Sequence, residues 1–313
     1  MAYPIERKLV VGVSSTALFN LENEDRIFRE EGLEAYKDFQ EKNKHEALEK
    51  GVAFPFVRRF LNINKIFPEQ KPVEVVILSR NSPETGIRTF YSIQEYGLDI
   101  SRAAFTSGNP AYKYIPAYNI SLFLSVDVKD VQNAIDMNYP AGRILPTMIH
   151  DDEDDAELRV AFDFDGVLAD DASEKIYKET KQLELFHKNE VDNVEKPLNP
   201  GLLMNFLRKL AYFQKLEDKK LINDNQYKKI LKTSIITARN APSHERAINT
   251  LKSWEIDVDE MFLLGGVDKK RILEILRPHL FMDDQLSHLS TELVDIPLVH
   301  IPFGVANEKQ REL

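Results

Sequence analysis

The stretch Val160-Ala-Phe-Asp-Phe-Asp-Gly-Val-Leu168 decides how this chain folds. Apolar residues run up to two carboxylates one residue apart. Gly166 follows, and glycine lets a backbone turn through conformations other residues avoid. A short apolar run bounded by turn residues reads as a buried strand, which places Asp163 and Asp165 at its C-terminal end. Working outward, short β-branched runs recur at 8–13, 73–78, 121–126, 233–237, 261–264, 279–282 and 298–301. Helical periodicity separates them, most clearly at 201–216 and at 269–276, where Pro278 closes the second segment. Strands alternating with helices predict βαβ units, hence an α/β fold with a mostly parallel sheet covered on both faces. Sheets of that kind take ligands at the carboxyl ends of their strands.

Composition narrows the classes. The chain has 313 residues and a formal charge of −10, from 41 Lys+Arg against 51 Asp+Glu. An acidic balance argues against nucleic acid as a partner, because phosphate backbones are bound by clustered Lys and Arg. Cysteine is absent, which excludes disulfides, thiolate metal sites and cysteine nucleophiles. The N-terminal segment lacks the apolar core of a secretory signal. The longest uncharged run, 115–126, falls short of the roughly 20 apolar residues a spanning helix needs. These features predict a soluble, cytoplasmic protein with no membrane partner.

The length allows two domains, each with its own core. The acid-rich run from His150 to Glu157 divides them as a solvated linker, since consecutive like charges repel and do not converge on one ion. The expected organisation is 1–149, a linker at 150–157, and 158–313. The halves look related. Val11–Phe19 aligns with Val160–Leu168, Ser79–Pro83 with Ala238–Pro242, Phe105 and Gly108 with Phe262 and Gly265, and Leu122–Ser125 with Leu280–Asp283. Four matches in one order at near-constant spacing predict an ancient duplication.

The second half carries a set of polar residues, each beside an expected strand end: Asp163 and Asp165, then Thr237, then Lys269 opening a helix, then Asp283-Asp284. A nucleophilic carboxylate, a hydroxyl, a lysine and an acidic pair in this order resemble the four-part signature of the haloacid dehalogenase-like (HAD) phosphatases. Phosphoryl transfer suits such a set, because an anionic nucleophile approaches a phosphate dianion only where positive charge is supplied. Mg2+ held by Asp163, the Asp165 carbonyl, Asp283 and Asp284 is the expected cofactor, with hard oxygen ligands. Lys269 is expected to neutralise nucleophile and phosphoryl group, and Thr237 to hydrogen-bond a phosphate oxygen. Asp163 is the expected nucleophile, forming an aspartyl phosphate, and Asp165 the acid and base. His279 and His288 flank the acidic pair without a partner His at i+4, so both read as structural histidines.

The segment between Asp163 and Thr237 exceeds what one crossover needs. The excess, about 171–228, is expected to form a mainly helical cap that selects substrate and excludes water. Candidate substrate contacts are Tyr177, Phe186 and His187 in this insert, with Thr237, Ala238, Arg239 and Lys269 in the core.

Nearly the whole chain resembles the cytosolic 5′-nucleotidase type I family within the HAD superfamily. The resemblance rests on Val13–Phe19, Leu78–Asn81 with Thr85-Gly86, Leu158–Leu168, Lys196–Gly201, Ile236–Arg239 and Ile275–Gln285. It implies a HAD-like parallel sheet with a mainly helical cap, and the internal duplication adds a degenerate related α/β half before it. It also implies Mg2+-dependent hydrolysis of nucleoside 5′-monophosphates, AMP among them. Animal members read Asp-Gly-Asp-Ala where this chain has Asp163-Phe-Asp-Gly166; both acids survive. The alternatives are a HAD phosphatase for another small phosphate ester, or a nucleotide-binding regulator without turnover. At the matched positions of the first half stand Ser14, Thr16, Leu78, Ala111 and Ser125, so a domain without catalytic acids is expected there. Ser14, Ser15, Thr16 and the turn Ser107-Gly108-Asn109 form a candidate effector-nucleotide site, and a homo-oligomer is a further candidate partner.

Overall fold

The structure is a computed structural model that describes residues 3–293 and 295–307; Met1 and Ala2 of the N-terminal segment read above lie outside the described residues. Two compact units divide between Met137 and Asn138.

The first unit follows the order β1 (Leu9–Val13), α1 (Ser15–Leu18), β2 (Phe19–Asn20), α2 (Glu22–Lys42), β3 (Glu49–Lys50), α3 (Phe54–Ile66), β4 (Val73–Ser79), α4 (Gly86–Glu95), β5 (Arg102–Phe105), β6 (Ile120–Ser125) and α5 (Val128–Asp136). Its sheet runs β6-β1-β4-β5, all parallel. Every residue of β1, β4 and β6 is buried, which is why they read as continuous apolar runs and not as alternating ones.

The second unit comprises β7 (Ala141–Ile144), β8 (Leu158–Phe162), α6 (Ala172–Thr180), α7 (Leu183–Asp192), α8 (Met204–Asn223), β9 (Leu231–Thr237), α9 (His244–Ser253), β10 (Glu260–Leu263), α10 (Lys269–Leu276), β11 (Leu280–Asp283) and β12 (Leu298–His300). Its strands run β10-β9-β8-β11-β12-β7, parallel except for the β12–β7 pair. This is a mostly parallel, Rossmann-like α/β architecture of the HAD type.

Strand pairing puts the division nearer the N-terminus than the acidic run suggests. β7 pairs with β12, and His150 is hydrogen-bonded to Asp295, so residues 138–149 go with the second unit. β7 escapes a reading for apolar runs because it is Ala-Gly-Arg-Ile. The insert also divides differently. α8 buries Met204, Phe206, Leu207 and Leu210, and Phe206 packs on Phe162 of β8 with ring centroids 6.1 Å apart. It is therefore a crossover helix on the sheet, and of the expected insert only α6 and α7 stand apart from that crossover.

The two units share strand order and register. Val11, Gly12 and Val13 face Leu122, Phe123 and Leu124; Val160, Ala161 and Phe162 face Leu280, Phe281 and Met282 in the same way. The register pairs Ser79 with Phe105 and Thr237 with Leu263, which corrects the sequence alignment by one position on β4 and β5. The counterpart of Thr237 is Ser79, not Leu78, and a hydroxyl survives. The turn after each outer strand agrees: Ser107 and Gly108 have φ of 48° and 88°, Gly265 and Gly266 of 56° and 95°. The Asn81 N–H donates to Ser79 Oγ at 3.1 Å, and the Arg239 N–H donates to Thr237 Oγ1 at 3.2 Å.

Candidate active site

The carboxyl ends of β8, β9 and β11 and the first turn of α10 bring Asp163, Thr237, Asp283 and Lys269 into one buried place. The Asp163 N–H donates to the Met282 carbonyl at 2.8 Å, which ties the end of β8 to β11. Asp163 Oδ1 accepts from the Phe164 N–H at 2.7 Å, and Oδ2 lies 2.7 Å from Lys269 Nζ. Lys269 also donates to Asp283 Oδ2 at 2.6 Å, so one ammonium bridges two carboxylates. Its position follows from helix capping: Asp268 accepts from the Lys270 N–H, and α10 starts at Lys269. Burial works against its charge, but Asp163 and Asp283 outweigh that and raise its pKa.

The acids differ in their surroundings. Burial pushes Asp163 up to about 7 despite Lys269. Burial also works on Asp283, but Lys269 and His288 outweigh it and hold this carboxyl below its ordinary value. Asp283 Oδ1 further accepts from the Gln285 N–H at 2.8 Å, so its oxygens are engaged. Asp284 is the opposite case. Its side chain is fully buried, neither oxygen has a hydrogen-bond partner among the described residues, and burial with Glu174, Asp163 and Asp283 nearby raises it to about 10. Its carbonyl, by contrast, is fixed by Asn307 at 2.9 Å and by His300 at 3.1 Å. A buried carboxyl held rigidly by its backbone and left without a donor is what a divalent cation would satisfy. The residues therefore fit a hard metal ion. Asp163, Asp283 and His288 also place ligand atoms within 4.8 Å of one another, but Lys269 already serves the two carboxylates of that trio.

Gly166 belongs to the same arrangement. Its φ is 72°, and a Cβ there would lie 2.7 Å from Asp284 Oδ2, so the turn after β8 and the orphan carboxyl are built against each other.

Arg239, a candidate substrate contact, is already occupied. Nε and Nη2 donate to the two oxygens of Asp165 at 2.7 and 2.6 Å, and Nη1 donates to Glu190 and to the Ser243 carbonyl. Phe164 and Phe186 each lie against the guanidinium, with ring centroids 5.3 and 5.5 Å away. Burial lowers the guanidinium pKa, but Asp165 and Glu190 raise it by more. Glu190, on α7, is completely buried and also accepts from Ser173 at 2.7 Å and from Arg246 at 2.9 Å. Asp165 is thus linked to α7 through one arginine. Glu190, Arg246 and Glu174 escape sequence reasoning, because a lone acid on a helix carries no signal of a partner about fifty residues away.

Of the other candidates, Phe186 is buried against Arg239, and His187 Nε2 lies 3.2 Å from Asn240 Oδ1. Tyr177 is exposed on α6 and makes no hydrogen bond to this set. Ala238 precedes Arg239 at the end of β9. His279 is structural: it accepts from the Arg159 N–H at 3.1 Å and joins Asp155. His288 contacts Asp283 at 3.2 Å.

Carboxylates and a hydroxyl stand at the strand ends of a Rossmann-like α/β fold with a lysine opening the next helix, and comparison with known proteins gives the family. The 5′-nucleotidase family model matches residues 1–308, and the chain belongs to that family. Human cytosolic 5′-nucleotidase 1B is 34% identical over 291 residues, which is 90% of this chain and 46% of the human protein. The chain thus spans about half the length of this curated relative. No solved structure matches the chain. Among the described residues no helix is long and apolar enough to cross a membrane.

Proposed function

We propose that the chain is a Mg2+-dependent 5′-nucleotidase that hydrolyses nucleoside 5′-monophosphates, of AMP type, to nucleoside and phosphate. The observation that carries this reading is the bridge from Lys269 to Asp163 and Asp283 beside the orphan carboxyl of Asp284, in a chain of the 5′-nucleotidase family. The human relative's name adds a cytosolic setting.

Asp163, the Asp165 carbonyl and Asp284 would hold the ion, and Asp283 would support it through Lys269. When bound, Mg2+ supplies positive charge against the phosphate dianion and lets Asp163 and Asp284 stay ionised. The chain's own groups do the rest. The Phe164 N–H and Lys269 fix both oxygens of Asp163, which aims one at phosphorus. Asp163 forms a bond to phosphorus as the bond to the nucleoside 5′-oxygen breaks, and Asp165 gives that oxygen a proton. Water then attacks the aspartyl phosphate, Asp165 takes a proton from it, and phosphate leaves. Lys269 and the Thr237 hydroxyl stabilise the equatorial oxygens during both steps. α6 and α7 exclude water, and Phe186 and His187 border the substrate's base.

Phosphate release from nucleoside monophosphates and sugar phosphates tests the reading, with Asp163→Asn as the control. Release from nucleotides that Asp163→Asn abolishes is expected. Activity confined to sugar phosphates, or retained by Asp163→Asn, overturns it.

A further inference from the structure

A cavity of about 900 Å3 opens in the first unit at the carboxyl ends of its strands. Ser14, Ser79, Ser107, Gly108, Ser125 and Val126 line it. By strand register and turn geometry they are counterparts of Asp163, Thr237, Gly265, Gly266, Asp283 and Asp284. The cavity occupies the place in its unit that the carboxylate cluster occupies in the other, with the cluster's acids replaced by hydroxyls and valine. Of the candidate effector residues, Ser14, Ser15, Thr16, Ser107 and Gly108 line it, while Asn109 turns to a neighbouring cavity of about 640 Å3.

Its chemistry selects against an anion. Four carboxylates (Asp25, Glu84, Asp127, Asp130) line it against two cations. Arg80 lies on both oxygens of Asp130, with Nε 2.9 Å from Oδ2, and Lys37 lies 3.2 Å from Glu34. A phosphate group entering here meets like charge with both cations engaged. Uncharged polar capacity is ample: the Asn81 carboxamide and the Ser107 hydroxyl make no hydrogen bond among the described residues. One wall is apolar and aromatic, with Phe28, Leu33 and Tyr36 of α2. Phe28 and Tyr36 stand edge to face 5.8 Å apart. A flat ring suits that wall, and sugar hydroxyls suit carboxylate and carboxamide acceptors. The volume is that of a small-molecule site.

We propose that this cavity binds an uncharged nucleoside, with its heterocycle against Phe28 and Tyr36 and its sugar hydroxyls on Asn81, Ser107 and the carboxylates. This replaces a nucleotide with its dephosphorylated form as the ligand of the first unit, and it does not depend on the reaction proposed for the second.

Hydrogen exchange by mass spectrometry on the full chain tests it, with millimolar adenosine, inosine, cytidine and uridine as probes and inorganic phosphate and spermidine as charged controls. At least one nucleoside should slow exchange in peptides covering 14–18, 79–86 and 105–109, where the controls do not. Phe28→Ala, a change at a half-exposed side chain, should weaken that binding about tenfold, as loss of a stacking partner does. Asn81→Ala should weaken it as well, and neither variant should alter AMP hydrolysis. Protection by none of the four nucleosides, equal protection by phosphate or spermidine, or unchanged binding by both variants overturns the proposal. Protection confined to second-unit peptides does so too, and leaves the 5′-nucleotidase reading standing.

Discussion

The Arg239 guanidinium lies flat across the Asp165 carboxylate, with one nitrogen on each oxygen at 2.7 and 2.6 Å. Two parallel bonds hold a carboxylate in one orientation, which a single ammonium cannot do. The same guanidinium reaches Glu190 on α7, so Asp165 is tied to that helix through one side chain. Replacing Arg239 by Ala takes the guanidinium from a part-buried Asp165 and leaves the buried Glu190 with Arg246 and Ser173 among its remaining partners. Stability should fall by about 3 kcal/mol in urea unfolding, and kcat about 100-fold for a misplaced acid. Arg239→Lys should restore part of the stability and little of kcat; full recovery of kcat would mean that charge alone matters.

Glu190 sets an acid limit on stability. Burial works to raise its pKa, but Arg239, Ser173 and Arg246 outweigh it and hold the folded value below 4.5. Between those values the unfolded chain binds more protons than the folded one. The contribution is therefore present above pH 4.5 and lost as pH falls through the folded value. Thermal melts of wild type and Glu190→Gln from neutral to acid pH check this. The variant should melt lower at neutral pH and lose less on acidification; parallel curves would count against the linkage.

Asp284 separates the metal from the rest of the site. A ligand that binds only the folded state at a hundred times its dissociation constant adds about 2.7 kcal/mol, so Mg2+ should raise the wild-type Tm. Asp284→Asn should abolish that shift and all turnover, while the metal-free variant, relieved of an orphan buried acid, should melt no lower than wild type. A Mg2+ shift that survives in the variant would move the ion away from this carboxyl.

Gly166→Ala tests the turn after β8. A left-handed alanine costs about 1 kcal/mol, and its Cβ would meet Asp284 Oδ2 at 2.7 Å. Mg2+ affinity should fall more than stability does. Unchanged Mg2+ titration by calorimetry would show that Asp284 is not confined by the turn.

Much of this was legible in the residues. Buried parallel strands announce themselves as unbroken apolar runs, and β1, β4, β6, β8, β9, β10, β11 and β12 were each expected within one or two residues. β5 was not, because Arg102-Ala-Ala-Phe105 is a partly exposed strand with little β-branched character. The one-position slip between Leu78 and Ser79 has a similar origin. Residue similarity favoured Arg80-Asn-Ser over the register, and only the hydrogen-bonding ladder counts positions. Asp163, Lys269 and Asp283 were readable as a set because each follows or ends a strand or opens a helix. The grip of Arg239 on Asp165 and Glu190 was not, since it joins three segments with no shared local pattern.

The paired turns at Ser107-Gly108 and Gly265-Gly266, and the paired bonds at Ser79 and Thr237, carry one more lesson. The first unit keeps that mould with no carboxylate at the ends of β1 and β6, so turn geometry and a hydroxyl acceptor shape it without the acids. Neutral replacements of Asp163 and Asp283 in the second unit can therefore be compared with a unit of the same strand order that carries Ser14 and Ser125 at the matching strand ends.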